Sequence, residues 1–369
     1  MEKLTSKHFI FLIIAATGTS ILNYPSLFIK IGGRDTWIFT IVASVILFLF
    51  AIYNFTIIRK TKSYDFTAVC YSSLGKTLGT IYLLLYSFTL ILICVEASSV
   101  SSNAIHTNIF INNPVWYCLL LFILAAFFVS KNRFHSILSV TLLSMFIAIV
   151  IGIFIGVLNQ RYSDFSTLRP ILHDKDSKSY VIAAITQLGA MSSFAILLPI
   201  IRRIDDRNKL NKYTYTTLIF ILAAMTISII NLIASLGPAR SSNIFFPQFI
   251  QAQRISFGGF LENGEFFIII TSTLFWIVKY ILAMFALYSI WENKISNKIL
   301  FIGIVSAIVY GISWLISRNV YGLFQILYYY QYILIVVMLI CPTLIYTIYG
   351  FAKNRNKTSN YKKNKNSKN

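Results

Sequence analysis

The sequence predicts an all-α integral membrane protein of ten transmembrane helices, arranged as two inverted halves of five helices each. The chain is 57% hydrophobic, only 12% charged, and has a mean hydropathy of +0.72, whereas soluble domains carry about a quarter charged residues. Its apolar stretches are long and evenly apolar, without the alternation of period two that marks barrel strands. The first and sixth stretches are interrupted in the same way, which points to an internal repeat.

Ten stretches reach the length needed to cross the roughly 30 Å hydrocarbon core of a bilayer. They are 8–29, 36–58, 78–105, 114–130, 135–158, 180–201, 213–236, 265–291, 298–317 and 327–350. Because five is odd, the second half of the chain must be inverted relative to the first. The two longest connections on the outer side, 159–179 and 237–264, either cover a vestibule or only join helices.

The basic residues predict the orientation of the bundle. Of the 32 Lys and Arg, roughly two thirds fall on the side that would hold both termini, and the positive-inside rule makes that side cytoplasmic. The net charge of +20 lies in short loops and a tail, so we expect no nucleic-acid partner. Residues 1–352 form the predicted membrane domain. Residues 353–369 are almost entirely Lys, Asn, Ser and Thr and are predicted to be a disordered cytoplasmic tail.

The sequence offers no pattern for a metal, a cofactor or catalysis. The four cysteines form no CxxC pair and the four histidines are scattered near span ends. No nucleotide-binding loop, GxSxG or HExxH pattern occurs. We therefore expect no bound metal, no cofactor and no enzymatic activity.

The first span carries small polar residues where a simple membrane anchor would carry leucine. Thr17, Gly18, Thr19 and Ser20 interrupt the apolar run, and Pro25 follows. Small residues let neighbouring helices approach closely, which would make this a packing surface. Alternatively, a broken span near the midplane is how many secondary transporters build a substrate site.

The sixth span repeats this interruption at the corresponding position of the second half. Gln187, Gly189 and Ser192 break its apolar run, and Pro199 follows. Two interruptions in register favour a binding site over packing. Free N–H groups at a half-helix start would hold a carboxylate, and freed carbonyls would accept an ammonium. A zwitterionic amino acid suits such a site.

Two ionisable residues lie inside the third and eighth spans, which are counterparts in the repeat. Glu96 shares a helical face with Ser99, and Lys279 lies deep in the eighth span, which also carries Thr273. Charges at membrane depth are costly and by default mark function. Glu96 and Lys279 either form a buried pair that locks the bundle or line the cavity separately.

Several short motifs follow one another along the chain. They are Thr17-Gly18-Thr19-Ser20 with Pro25, Gly33-Arg34-Asp35-Thr36-Trp37, Leu74-Gly75-Lys76 with Gly79, Arg133, Phe245-Phe246-Pro247, Phe260-Leu261-Glu262 and Trp276. In their order and spacing these motifs resemble the spore germination GerAB family, the B subunits of germinant receptors in the amino acid–polyamine–organocation superfamily. One residue departs from the pattern, because Asn263 stands where the family is expected to have an arginine after the glutamate.

The resemblance implies a LeuT-like bundle in the inner membrane of a dormant spore, beside an A subunit and a lipoprotein C subunit. It implies a ligand region around Gly18, the sixth-span break and polar positions of the third and eighth spans. The subunit would sense a small nutrient, such as an amino acid, and trigger germination. Two alternatives stay open: an amino-acid permease coupled to H⁺ or Na⁺, and a structural subunit without its own ligand site.

Overall fold

In a computed structural model, the described parts of the chain (residues 5–206, 209–256 and 263–366, with side chains up to 353) form helices and no strands. The α-helices are α1 Phe9–Asn23, α2 Ser26–Gly32, α3 Thr36–Thr61, α4 Phe66–Asn108, α5 Val115–Ser130, α6 Phe134–Asn159, α7 Ser177–Ser192, α8 Leu210–Leu236, α9 Pro238–Asn243, α10 Pro247–Gln253, α11 Glu265–Trp291, α12 Lys298–Ser317, α13 Val320–Leu334 and α14 Cys341–Asn366.

The helices supply the ten predicted spans. Within the described residues, eight segments are long and apolar enough to cross a membrane, and α1 and α5 are shorter apolar helices. Large apolar side chains on the outside of the bundle are exposed, for example Leu49 (60%), Leu143 (63%) and Leu315 (61%). In water such an apolar surface would promote aggregation, but a bundle embedded in lipid requires it.

The first span breaks later than the sequence predicts. Residues 15–20, where the interruption was expected, lie inside α1, and the Thr19 hydroxyl donates to the Ala15 carbonyl 2.5 Å away, which keeps it within the helix. The helix ends at Tyr24 (φ −137°, ψ 57°). Pro25 explains this position, because a proline disfavours the helical conformation of the residue before it and has no N–H to donate.

The sixth span is also broken, at the far edge of its predicted interruption. Helix α7 continues through Gly189 to Ser192, and two 3₁₀ turns follow, Ser193–Leu197 and Ile201–Arg203. Pro199 lies between these turns and removes another helical donor. The predicted pair of broken helices, one in each half, is therefore confirmed.

Two more spans depart from regular geometry. Helix α4 kinks at Gly75 (φ 76°, ψ 178°), a conformation open to glycine, and it begins at Phe66, earlier than the predicted start at residue 78. The last span contains a π-helical segment, Ile335–Ile340, immediately before Cys341 and Pro342. It also begins earlier than predicted, at Val320.

Ion pairs and hydrogen bonds tie the broken sixth span at both ends. At the predicted outer end, the fully buried Asp35 accepts hydrogen bonds from the Tyr180 hydroxyl (2.8 Å) and the Leu172 N–H (3.0 Å). At the predicted cytoplasmic end, the Arg203 guanidinium lies 2.7 Å from the carboxylate of Glu292, just after α11. Both contacts hold the sixth span against neighbouring helices.

Helix α14 runs to Asn366, into the segment whose composition predicts a disordered tail. The domain boundary at residue 352 and the disorder of residues 353–369 stay predictions. The Phe260-Leu261-Glu262 motif lies outside the described residues.

Candidate functional site

An ion pair between Glu96 of α4 and Lys279 of α11 lies at the centre of the bundle. The Lys279 Nζ is 2.8 Å from the Glu96 Oε2, and the two side chains are 1% and 0% exposed, glutamate first. Removing two charges from water costs several kcal/mol each, by order of magnitude, and the pairing must offset that cost. The two alternatives that the sequence left open are thus decided in favour of direct pairing.

The Glu96 carboxylate is surrounded by donors from three other spans. Its Oε1 accepts hydrogen bonds from the hydroxyls of Ser20 (2.7 Å) and Tyr24 (2.6 Å), and its Oε2 accepts one from the Tyr330 hydroxyl (3.2 Å). The Gln331 amide donates to the Tyr24 oxygen at 3.3 Å, which orients that phenol. Four donors therefore converge on one buried carboxylate when the lysine is included.

The Lys279 ammonium is less completely bonded than the carboxylate. It donates to the Ser20 oxygen (2.6 Å) and to Glu96, and it lies 5.4 Å from the centre of the Trp276 ring. An ammonium has three N–H donors. The Trp276 ring also stacks on Tyr24, with centroids 6.1 Å apart and planes within 8°, so one aromatic wall borders both the cation and the helix break.

A short helix, α10, bonds to the first-span break. The Gln248 amide of α10 donates to the Asn23 carbonyl, which the break leaves without a helical partner. The Ser26 hydroxyl of α2 donates to the Phe245 carbonyl at 2.7 Å. The Phe324 ring lies 4.9 Å from that of Phe245 and 6.3 Å from that of Tyr24. The segment 238–253, here called the cover, therefore lies against the first-span break beside the centre.

The sixth-span break is capped by side chains of neighbouring helices. The Tyr86 hydroxyl of α4 donates to the Ala195 carbonyl, and the Ser289 hydroxyl of α11 donates to the Pro199 carbonyl at 3.4 Å. The Ser193 hydroxyl donates to the Ala16 carbonyl of α1 at 2.6 Å and so joins the two broken spans. The Ala195 and Pro199 carbonyls, which lie at the break and could have accepted a ligand ammonium, are therefore bonded within the protein.

The two predicted site glycines serve close helix packing. A Cβ on Gly189 would lie 2.4 Å from the Gln331 carbonyl oxygen, so α7 and α13 meet there backbone to backbone. A Cβ on Gly18 would lie 2.7 Å from the Ile221 Cδ1, the flexible end of a side chain on α8. Gly189 nevertheless bears on the centre, because it sets the position of Gln331.

The other predicted residues are placed around the centre or away from it. Gln187 bonds to Thr40 and to the Thr36 carbonyl of α3. The hydroxyls of Thr19 and Ser192 bond within their own helices, and Thr273 is half-buried on α11. Thr17 and Ser99 are fully buried, and their hydroxyls have no hydrogen-bond partner among the described residues.

Of the predicted residues, Ser20, Glu96 and Lys279 meet at the centre. The sequence did not single out Tyr24, Tyr330 and Gln331 as its other members. A signal existed for Gln331, which is a lone amide in the aromatic run 328–332 of a span, and buried amides need partners. Within the described residues, no three His, Cys, Asp or Glu side chains come together as a metal site would require.

Comparison with known proteins agrees with this architecture. A model of the family described as "Spore germination protein" matches residues 3–321. The chain belongs to this spore germination family. A search of curated proteins found no match.

Solved transporters share the fold of this spore germination protein. A mutant form of the manganese transporter of Eremococcus coleocola superposes with a TM-score of 0.60 at 12% identity, over 92% of this chain and 78% of that one. A Na⁺-coupled sialic acid symporter in a substrate-bound outward-open state gives 0.59 at 13% identity, over 91% and 79%. At such identities the likeness establishes the fold alone, and it confirms the predicted LeuT-like bundle of two inverted halves.

Proposed function

We propose that this permease-like membrane protein is the B subunit of a germinant receptor, which senses a small nutrient of the amino-acid class and triggers germination. The single observation that carries the proposal is the Glu96–Lys279 pair at the first-span break, in a protein of the spore germination family. A charged, hydrogen-bonded centre inside a transporter fold is where a polar solute is recognised.

The position of the cover supports a site that opens toward the outer side. Gln248 and Phe245 bond to the two sides of the Tyr24–Pro25 break, so a solute arriving from that side would displace the cover before it reaches Glu96. We further propose both termini in the cytoplasm, residues 353–369 as a basic tail, location in the spore inner membrane, and assembly with A and C subunits.

The test is germination of spores deleted for this chain, measured as dipicolinate release across the twenty amino acids and common ions. We expect at least one amino acid to lose its effect in the deletion and to regain it when the chain is restored. If every nutrient response survives the deletion, the receptor role is wrong.

A permease coupled to H⁺ or Na⁺ is the second candidate, favoured by the fold shared with two transporters. The two candidates differ in flux. Saturable, gradient-dependent uptake of a labelled amino acid into proteoliposomes would favour the permease, whereas binding without uptake would favour the receptor. Absence of both binding and uptake would favour a structural subunit.

A further inference from the structure

We propose that the Glu96–Lys279 pair is an internal substitute for the ligand, and that a zwitterionic ligand replaces it end for end. The carboxylate of the ligand takes the place of Glu96 at the Lys279 ammonium. The ammonium of the ligand takes the place of Lys279 at the Glu96 carboxylate. This inference rests on the proposed ligand site at the centre and specifies which group binds each end.

Electrostatics selects the ligand class. Both side chains are fully buried and bonded to each other, and a buried charge that loses its partner is strongly destabilised. A sugar that separated the pair would leave both charges without a counterion. A simple cation would satisfy Glu96 and strand Lys279, and a simple carboxylate would do the reverse. Only a ligand with both charges leaves each of them paired.

Unused polar groups next to the pair fit a ligand that enters between the two side chains. The described residues give no hydrogen-bond partner to the Ser99 hydroxyl, the Trp276 indole N–H or the Gln331 Oε1. Ser99 and Trp276 each lie about one helical turn from a member of the pair, and Gln331 bonds to Tyr24 beside it. These groups would donate to a carboxylate or accept from an ammonium.

The replacement also gives binding a structural consequence. In the present arrangement Ser20 bonds to both members of the pair, and Tyr24 bonds to Glu96. The ion pair therefore holds α4 and α11 against the residues just before the first-span break. Separating the pair breaks the Ser20 bridge, which links ligand binding to a movement of α1 and α2.

The experiment crosses ligand analogues with variants of the pair, using purified full-length protein and equilibrium binding. The probes are the twenty amino acids and, for each that binds, its carboxamide and its desamino acid. In the wild type we expect removal of either charged end to weaken binding about tenfold or more, as is typical for hydrogen bonds to charged groups.

The variants assign each end. In Lys279→Met the preference for the amino acid over its carboxamide should shrink to about threefold or less, whereas the preference over the desamino acid is kept. Glu96→Gln should show the opposite pattern. The double variant Glu96→Gln/Lys279→Met removes both charges and tests the pair if a single variant does not fold. It should lose both preferences. Ser98→Ala, on the face of α4 that bonds to Ser313 of α12, is the matched control and should keep both.

The replacement would be overturned if a single variant bound the amino acid, its carboxamide and its desamino acid all equally more weakly than the wild type does. Unchanged binding in the double variant would overturn it as well. Neither result overturns the proposed receptor role, because deletion of the whole chain tests that role and it does not require the ligand to exchange with the pair. If no amino acid binds the wild type while the deletion abolishes germination, the ligand is of another class and the replacement is also wrong.

Discussion

The two broken spans are counterparts in the repeat, yet they differ in how their breaks are used. At the first break, Ser20 and Tyr24 contribute hydroxyls to a buried ion pair, and the Asn23 carbonyl is bonded by Gln248 of the short helix α10. At the sixth break, carbonyls are bonded to Tyr86 and Ser289, which belong to long membrane helices.

This difference shows that pseudo-symmetry of the backbone does not make the two breaks chemically equivalent. Exposing the first break requires displacement of a short helix of seven residues, α10. Exposing the sixth break requires its separation from α4 and α11, which are helices of 43 and 27 residues. We therefore expect the first break to open more readily than the sixth break.

The largest expected effect comes from stranding a charge at the first break. Lys279→Met leaves Glu96 buried without its cation and should lower the free energy of unfolding by about 3–5 kcal/mol, whereas Glu96→Gln/Lys279→Met should recover most of that loss. Thermal unfolding of the purified variants in detergent measures both. Equal stability of the single and double variants would show that the unpaired Glu96 charge is not the cause of the loss.

The next largest effect concerns the two glycines, Gly189 near the sixth break and Gly18 before the first break. Gly189→Ala places a methyl group against the backbone of α13 and should cost about 2–3 kcal/mol, while Gly18→Ala meets only the movable end of Ile221 and should cost about 1 kcal/mol or less. The same unfolding measurement compares them. A larger loss of stability in Gly18→Ala than in Gly189→Ala would contradict the tighter backbone packing at the sixth span.

Loss of the Gln248 hydrogen bond should give a modest change in stability, and that change should be the most local of the three. Gln248→Ala leaves the Asn23 carbonyl without a donor and should cost about 1–2 kcal/mol. Hydrogen exchange should become faster around residues 20–30 and stay unchanged around residues 190–200. Ser242→Ala, in the exposed part of the same connection, is the control. Faster exchange at both breaks would mean that they open together.

The fold could be predicted from local sequence because membrane burial imposes strong local requirements. Every apolar stretch of spanning length became a helix, since backbone groups in lipid must be bonded internally. The exact break positions were not predictable from small polar residues. Thr19 and Ser192 donate their hydroxyls to carbonyls of their own helices, whereas at each break a proline, Pro25 or Pro199, removes a backbone donor.

The site was predictable where a residue type is costly in a membrane. Glu96 and Lys279 could be predicted because a charge at membrane depth is costly and is kept only where it has a role. Ser20 could be predicted because it lies next to a break. Gly189 and Gln187 both interrupt the sixth apolar run, but Gly189 packs against α13 and Gln187 bonds to α3. Tyr330 resembles the other tyrosines of its aromatic run until the fold directs it to Glu96.

The sequence by itself determined the membrane environment, the ten spans, the two broken helices and the two intramembrane charges. These follow from hydropathy and from the backbone chemistry of proline, which act over a few neighbouring residues. Only the tertiary structure decided that Glu96 and Lys279 pair, that Tyr24 and Tyr330 complete their surroundings, and that Gln248 closes one break while Tyr86 caps the other. Those contacts join residues from 72 to 234 positions apart, and such separations carry no local pattern.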